Sequence, residues 1–476
     1  MPTPKGIVAY AAHLPCHRVR HADLAAALGT KAGPGARVVA SFDEDSTTLA
    51  VEAARRVPRG AERPQAIFFA TTSPAYLDKT NAAAVHAALG LGTEGLAVDL
   101  AGSARSGVGA LLAAAATGGL AVLADVRTGL PGSADERDGA DGAAAFLFGD
   151  PGQAIAEIVA RVSVTAEFLD RWRVPGEPAA RRWEERFGLE SYLPLVTEAG
   201  RRALKEADVA APDHVVLSSP NPLVIRRAAE LFPAQVPARV PARVPAGIVA
   251  GLPAGKAPGH AGAADVGLGL AEVLDRAAPG ETVLVLAAVD GCDALVLRVT
   301  DRIERGRQAR PVSAQLAAGR AVPYATYLTW RGLLDREPPR RPEPEPPAGP
   351  PSARSQAWKF AFTGSRCRGC GFVHLPPARV CKGCGAADEM EPHPLSGVRG
   401  TVATFTADRL AYSPSPPLID VVVDFDGGGR YTMELADAAP DEVTIGMRVE
   451  TTFRRLHTAG GVHNYFWKVR PVEDER

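Results

Sequence analysis

No stretch of about 18 uninterrupted apolar residues occurs anywhere in the chain, so it offers no candidate membrane-spanning helix. The N-terminal MPTPKGIVAYAAHLPCHRV lacks a basic leader followed by a long apolar run and a small-residue cleavage site, and the expectation is a cytoplasmic protein with no membrane association. Charge of one sign is also missing. With 53 Lys and Arg against 54 Asp and Glu, no global attraction to nucleic acid or an anionic surface follows, although local basic patches stay open. Cysteine is scarce: of six, Cys16 and Cys292 stand alone, while Cys367, Cys370, Cys381 and Cys384 fall in one short window. In a cytosolic chain that clustering argues for metal binding over a disulfide framework. What is present is ordinary for a globular protein, 46% hydrophobic and 22% charged over 476 residues, enough for several domains.

The first 300 or so residues alternate strand-length apolar runs with Ala-rich helical stretches, the pattern of a layered α/β fold. Strands are predicted at Gly6–Ala12, Ala66–Thr71, Leu96–Leu100, Ala143–Phe148, His214–Ser218 and Thr282–Ala288, and a helix at Thr47–Arg56 with capping residues among Asp43–Ser46. Two stretches resemble each other. Val98–Ala114 (VDLAGSARSGVGALLAA) and Gly259–Ala277 (GHAGAADVGLGLAEVLDRA) each run from a Gly/Ala-rich loop into a small-residue helix. Small side chains permit close helix approach, so an internal duplication with two buried central helices is inferred. The repeat PAQVPARVPARVPA (233–246) has proline too often for a helix or a central strand and reads as a surface loop, with an Arg-presenting loop as the alternative. The Pro-rich stretch Arg336–Ser355 is expected to be extended and semi-rigid, and marks a domain boundary. Beyond it, runs at Thr401–Thr406, Leu418–Phe425, Tyr431–Leu435, Arg448–Arg454 and Tyr465–Val469, with a turn at Asp426–Gly429, fit a small antiparallel barrel.

CRGC (Cys367, Cys370) and CKGC (Cys381, Cys384) form two knuckles whose four thiolates suit tetrahedral zinc with no open coordination position, hence a structural role. A rubredoxin-like iron site or a site without metal are the alternatives. With four cysteines available, His374 is expected at the surface and not among the ligands. Cys292, at the start of an apolar run, reads as a packing residue.

DEDSTTLAVEAARR (Asp43–Arg56), DVRTGLPGSADERDGADGAAAFLFG (Asp125–Gly149), FLDRWRVPGE (Phe168–Glu177) and YATYLTWRGLL (Tyr324–Leu334) resemble the thiolase superfamily, in its ketoacyl synthase III and HMG-CoA synthase branch. The two knuckles, IGMRVETTFRRL (Ile445–Leu456) and YFWKVRP (Tyr465–Pro471) resemble the rubredoxin-like zinc ribbon plus OB-fold domain that accompanies such enzymes. The resemblance implies a duplicated five-layer thiolase-like fold over 1–335, with halves of about 1–160 and 161–335. A linker at 336–357, a zinc ribbon at 358–395 and an OB barrel at 396–476 would follow.

Chemistry in that superfamily needs a thiol at the N-terminus of the buried helix, where the dipole lowers its pKa, and groups that move protons and bind an oxyanion. Five residues on from Asp99 the nucleophile's position falls on Ala104, which cannot be acylated. The resemblance puts the other catalytic positions on Ser218, on His260, and, for the acid/base glutamate, on Thr72. Only His260 keeps a proton-carrying side chain. Ser103 or Ser106 is a candidate oxygen nucleophile if a base is within reach. The resulting expectation is a degenerate subunit, homodimeric through its thiolase-like part and within a larger hetero-oligomer, that supports a separate active thiolase or thiolase-like aldolase acting on acyl-CoA. The alternatives are a self-sufficient HMG-CoA synthase or ketoacyl synthase and a single-strand nucleic-acid-binding OB protein. Arg409, Arg454, Arg455 and Lys468 are candidate contacts for CoA phosphates. With Arg399, Tyr412, Tyr465 and Trp467 they could equally serve a nucleic acid, and the fused thiolase-like half favours CoA.

Overall fold

A computed structural model describes residues 6–58, 64–235 and 259–472. Most of the 233–246 repeat lies outside the described residues. The chain divides into two compact units: Met1–Ser41, Asp45–Ala83 and Thr93–Leu333 form the first, and Phe42–Glu44, Ala84–Gly92 and Leu334–Arg476 the second. Among the described residues no helix is long and apolar enough to cross a membrane.

The first unit is built on strands β1 (Gly6–His13), β2 (Ala66–Thr71), β3 (Leu96–Ala101), β4 (Leu120–Asp125), β5 (Gly142–Gly149), β6 (Ala156–Thr165), β7 (His214–Ser218), β8 (Thr282–Ala287) and β9 (Gly291–Val299). Their order is β7-β8-β9-β6-β1-β5-β4-β2-β3, and β6 meets β1 through the single pair Ile7–Ala156. On either side of that joint one pattern recurs. β2 and β4 are parallel while β4–β5 and β5–β1 are antiparallel, and likewise β7 and β8 are parallel while β8–β9 and β9–β6 are antiparallel. This is the predicted duplication, written in topology.

Four helices complete the layers: α1 (Ser46–Arg56), α2 (Ser106–Thr117), α3 (Glu185–Glu206) and α4 (Asp265–Leu274). Helix α1 begins where Asp45 accepts the Thr48 amide at 2.9 Å while the Thr48 hydroxyl accepts the Asp45 amide at 2.8 Å, a reciprocal cap that satisfies two otherwise free donors. It lies on the outer face of the first half-sheet, and α3 on that of the second. Helices α2 and α4 fill the centre. Gly267 meets Leu123, Ala144 and Phe146 of the first half, whereas Gly269 meets Val216 of the second. Side chains larger than hydrogen would hold these layers apart, which is why both central helices are rich in small residues.

In the second unit, a three-stranded ribbon (Val373–His374, Thr363–Cys367, Met390–Pro394) precedes a five-stranded antiparallel sheet. Its strands are β10 (Arg399–Asp408), β11 (Leu418–Phe425), β12 (Arg430–Glu434), β13 (Arg448–Ala459) and β14 (Val462–Pro471), in the order β12-β11-β10-β13-β14. A bridge from Leu435 to Val469 nearly closes the barrel. β11 alternates half-buried and buried residues along its whole length, as a one-sided strand should. Phe362, Phe453 and Trp467 meet in the core, and the Trp467 indole donates to the Phe360 carbonyl at 2.7 Å. The Pro-rich stretch is not extended throughout: Gly349–Arg354 is a short helix. Its prolines stand in the first turn, where their missing N–H groups and fixed φ suit helix initiation, so composition misread a helix start as a spacer.

Candidate functional site

The elbow joins β3 to α2. Gly102 takes φ +125°, and the chain then winds into the helix as Ser103 and Ala104 carbonyls accept the amides of Ser106 and Gly107, both at 3.1 Å. Arg105 anchors the turn to the other half. Its guanidinium forks onto Asp293 at 2.8 and 3.0 Å and donates to the Asp290 carbonyl at 2.7 Å. Ala104 thus sits at the N-terminal approach to the 12-residue buried helix. Among the described residues neither the Ser103 nor the Ser106 hydroxyl has a hydrogen-bonded base.

Thr72 and His260 lie near two groups the sequence reading missed, Asp125 and Arg127, and Ser218 reaches the same loop through Asp265. Asp125, at the end of β4, is fully buried and accepts five hydrogen bonds: from the hydroxyls of Thr71, Thr72 and Ser73 and the amides of Thr72 and Ala263, at 2.6–3.0 Å. It stitches the loop after β2 to the loop before α4. Gly262 makes the approach possible, because a Cβ there would lie 1.9 Å from an Asp125 oxygen. Arg127 donates to the Thr72 hydroxyl at 2.7 Å, Arg173 donates to the Thr72 carbonyl, and Arg171 forks onto Asp135 at 2.9 and 2.6 Å. A charged residue closing an apolar strand, as in LAVLAD, was the one signal for Asp125 in the sequence.

The backbone of His260 is pinned between the Asp138 carbonyl and the Ala140 amide. Its Nδ1 accepts the Gly262 amide at 3.2 Å, which places the ring proton on Nε2. Among the described residues that atom is buried and unpartnered, 3.8 Å from an Asp265 oxygen that is also unpartnered there. Burial, reinforced by Arg127 and Arg171, holds His260 well below the usual histidine range, so the ring is neutral at pH 7. Burial pushes the Asp265 carboxyl up to about 7, against the opposing pull of Ser218, the Ala261 amide and Arg127. With its folded pKa raised above the ordinary 3.8, Asp265 contributes stability that is complete below about pH 4 and is lost as pH rises toward 7. Asp265→Asn is therefore expected to raise the thermal midpoint relative to the parent at pH 8 and to leave it little changed at pH 4. Parallel midpoint curves for the two proteins across that range would refute the protonated carboxyl.

The four knuckle sulfurs lie within 4.8 Å of one another. Cys370 and Cys381 are separated by 3.4 Å and Cys367 and Cys384 by 3.7 Å, against about 3.8 Å between ligands of a tetrahedron with Zn–S bonds of about 2.3 Å. Gly371 and Gly385, both at positive φ, each return an amide to the first cysteine's carbonyl at 2.9 Å, and this turns the knuckles. The donor set fits a structural zinc ion. His374 is not at the surface as expected: it is 3% exposed, its ring 4.8 Å from that of Phe372, because its strand pairs with Thr363–Cys367 and turns the side chain inward. Cys292 is fully buried in an apolar cluster and its thiol is pushed up to about 12 by burial, as a packing residue's should be.

The four CoA-phosphate candidates do not form one exposed cationic face. Arg454 is 1% exposed and pairs with Asp43, Glu44 and Asp437, and Lys468 is buried against Asp43 and Glu434. Arg455 donates to the Phe42 carbonyl at 2.8 Å, which leaves Arg409 exposed. Arg454, Arg455 and Lys468 thus meet the Phe42–Glu44 segment of the same unit, and Asp437 and Glu434 take up the rest of the Arg454 and Lys468 charge. Tyr465 and Trp467, needed as stacking platforms by the nucleic-acid alternative, are buried as well.

Comparisons with known proteins agree with both units. Residues 360–391 match the family model "ChsH2, rubredoxin-like zinc ribbon domain", and residues 392–454 match "ChsH2, C-terminal OB-fold domain". The hydroxymethylglutaryl-CoA synthase of Methanopyrus kandleri is 32% identical over 355 residues, covering 69% of this chain and 97% of that protein. That of Archaeoglobus fulgidus is 31% identical, covering 68% and 98%. A DUF35 domain-containing scaffold protein of Methanocaldococcus jannaschii is 33% identical over 121 residues, 24% of this chain and 85% of that protein. Among solved structures, an HMG-CoA synthase complexed with CoA superposes with a TM-score of 0.58 at 16% identity, over 68% of this chain and 90% of that one. MvaS in complex with 3-hydroxy-3-methylglutaryl coenzyme A gives 0.56 at 20% identity, over 73% and 96%. The chain belongs to the hydroxymethylglutaryl-CoA synthase family of the thiolase superfamily, and carries in addition a ChsH2-type zinc ribbon and OB fold.

Proposed function

We propose that this chain is a catalytically degenerate, cytoplasmic, acyl-CoA-binding subunit that supports a separate, active thiolase or thiolase-like aldolase making or breaking C–C bonds. The observation that carries the reading is Ala104, a methyl group at the helix terminus where the family's nucleophilic thiol stands. Thr72 and Ser218 in place of an acid/base pair support it, as does the lack, among the described residues, of a base at Ser103 and Ser106. Relatives crystallised with CoA or an acyl-CoA support retention of such a ligand. Homodimer formation is supported by β3, which among the described residues ends the sheet with one edge unpaired and leaves Leu96 57% exposed, a strand that a second copy would cover.

The test is co-purification of the tagged protein with thiolases from its own genome, followed by assay of the complex for acyl-CoA condensation or cleavage. Failure to retain any thiolase would end the reading. Incubated alone with acetyl-CoA, the protein is expected to show no covalent acetyl adduct by intact mass. Ala104→Cys should create a thiol that alkylates far faster than Cys292, because a helix N-terminus stabilises the thiolate. An adduct on the unaltered protein would instead support the self-sufficient synthase.

A further inference from the structure

The second unit holds a cleft that neither the zinc knuckles nor the thiolase-like residues account for. The short helices Gly349–Arg354 and Gln356–Lys359 meet β12 and β14 around about 340 Å³ of free space. Its wall is aromatic. Trp358 stands edge-on to Tyr431 with ring centres 5.1 Å apart and is tilted against Phe466 at 5.4 Å. All three rings are only half-buried, so part of their surface is left for something other than the barrel core. One cation borders this wall. Lys359 is half-buried, and its ammonium donates to the Ser352 hydroxyl at 3.1 Å. No carboxylate is among the described residues that line the cleft. Burial alone draws the Lys359 pKa below the usual lysine value, with no acidic neighbour to pull it back. The other buried cations of this unit are treated differently, since Arg454 and Lys468 each pair with at least two carboxylates. Two N–H groups of Lys359 therefore remain to be used, and the Asn464 amide borders the same space.

We propose that this cleft binds a small aromatic monocarboxylate, with its oxygens on Lys359, Ser352 and Asn464 and its ring against Trp358, Tyr431 and Phe466. Charge and shape select the ligand together. An ammonium half out of water gains most from an anion that also accepts its hydrogen bonds, and a carboxylate supplies two acceptor oxygens. Aromatic walls favour a ring, which can pack edge-to-face or offset against them. The free space is at the small end of the roughly 300–1,000 Å³ that ligand sites span, which suits one or two fused rings. A polyanion such as a nucleic-acid strand would find one cation here where it needs several. The site lies wholly in the second unit and stands independently of the acyl-CoA reading above.

The experiment is calorimetric titration of the full-length protein with 2-naphthoate and with 2-naphthamide, which keeps the ring system and removes the charge. Naphthoate is expected to bind at least about tenfold more tightly than the amide, and Lys359→Met should erase that difference by weakening naphthoate alone. Should Lys359→Met fail to fold, the comparison of the two ligands on the unaltered protein decides. Equal affinity for both, or no binding of naphthoate at millimolar concentration, overturns the proposal. So does full naphthoate affinity in a folded Lys359→Met protein, which would put the ligand elsewhere. Displacement of naphthoate by acetyl-CoA would make the cleft part of an acyl-CoA site and overturn it as a separate one, whereas binding that persists at saturating acetyl-CoA supports it.

Discussion

Removing zinc from the Cys367, Cys370, Cys381 and Cys384 site is expected to unfold the ribbon and to lower the stability of the second unit more than any single side-chain change would. Apparent binding free energies of structural zinc run to about 10–16 kcal/mol at neutral pH, comparable with or above the roughly 5–15 kcal/mol that holds a whole domain together. The ribbon has little else to hold it. Its strands are five, two and five residues long, and Cys370 and Cys384 are exposed. Treatment with a strong chelator, or Cys381→Ala, should therefore release one equivalent of zinc by elemental analysis. Amide exchange across Thr363–Pro394 should accelerate while exchange in the β1–β9 sheet stays as it was. Unchanged exchange in the ribbon after verified metal loss would show that the knuckles fold without an ion, the alternative that spacing left open.

Local chemistry made much of the fold legible. Ala66–Thr71, His214–Ser218 and Leu418–Phe425 have in the structure the ends their apolar runs implied, and Asp45 caps α1 from within the predicted Asp43–Ser46. Long-range contact was not legible. Asp125 and Ala263 lie 138 residues apart and Arg454 and Asp43 lie 411 apart, so no window of sequence could tell that the first pair joins two loops or that the second cancels a cationic face. The candidate positions Thr72, Ser218 and His260 came from the family resemblance, whereas Arg127 and Asp265, which give the site its charge, were not indicated by it. Their side chains acquire meaning only from neighbours brought in by folding. His374 and the Gly349–Arg354 helix failed for a related reason, since composition alone does not say which side of a short strand faces in or where a proline-rich run starts to wind.

Gly107→Ala is expected to destabilise the first unit by about 2–4 kcal/mol, although alanine is intrinsically the better helix former by about 1 kcal/mol. A Cβ at this position would stand 2.3 Å from the Ala263 carbonyl oxygen and 3.1 Å from methyl groups of Leu123 and Val266. The oxygen belongs to a backbone that cannot rotate away, because the Ala263 amide is itself held by Asp125 at 2.6 Å. Gly109, in the same helix, supplies the control: it is exposed, nothing lies within 4 Å of its Cβ position, and Gly109→Ala should stabilise by about 0.5–1 kcal/mol. Thermal or denaturant unfolding of the pair separates helix propensity from close approach, and equal effects of like sign at both positions would mean that α2 does not abut the loop before α4. That contact also sets the site, since the loop 260–265 carries His260 and Asp265 and shares Asp125 with Thr72. If Gly107→Ala folds at all, the displaced Ala263 must loosen the Asp125 bonds that align Thr72 with that loop.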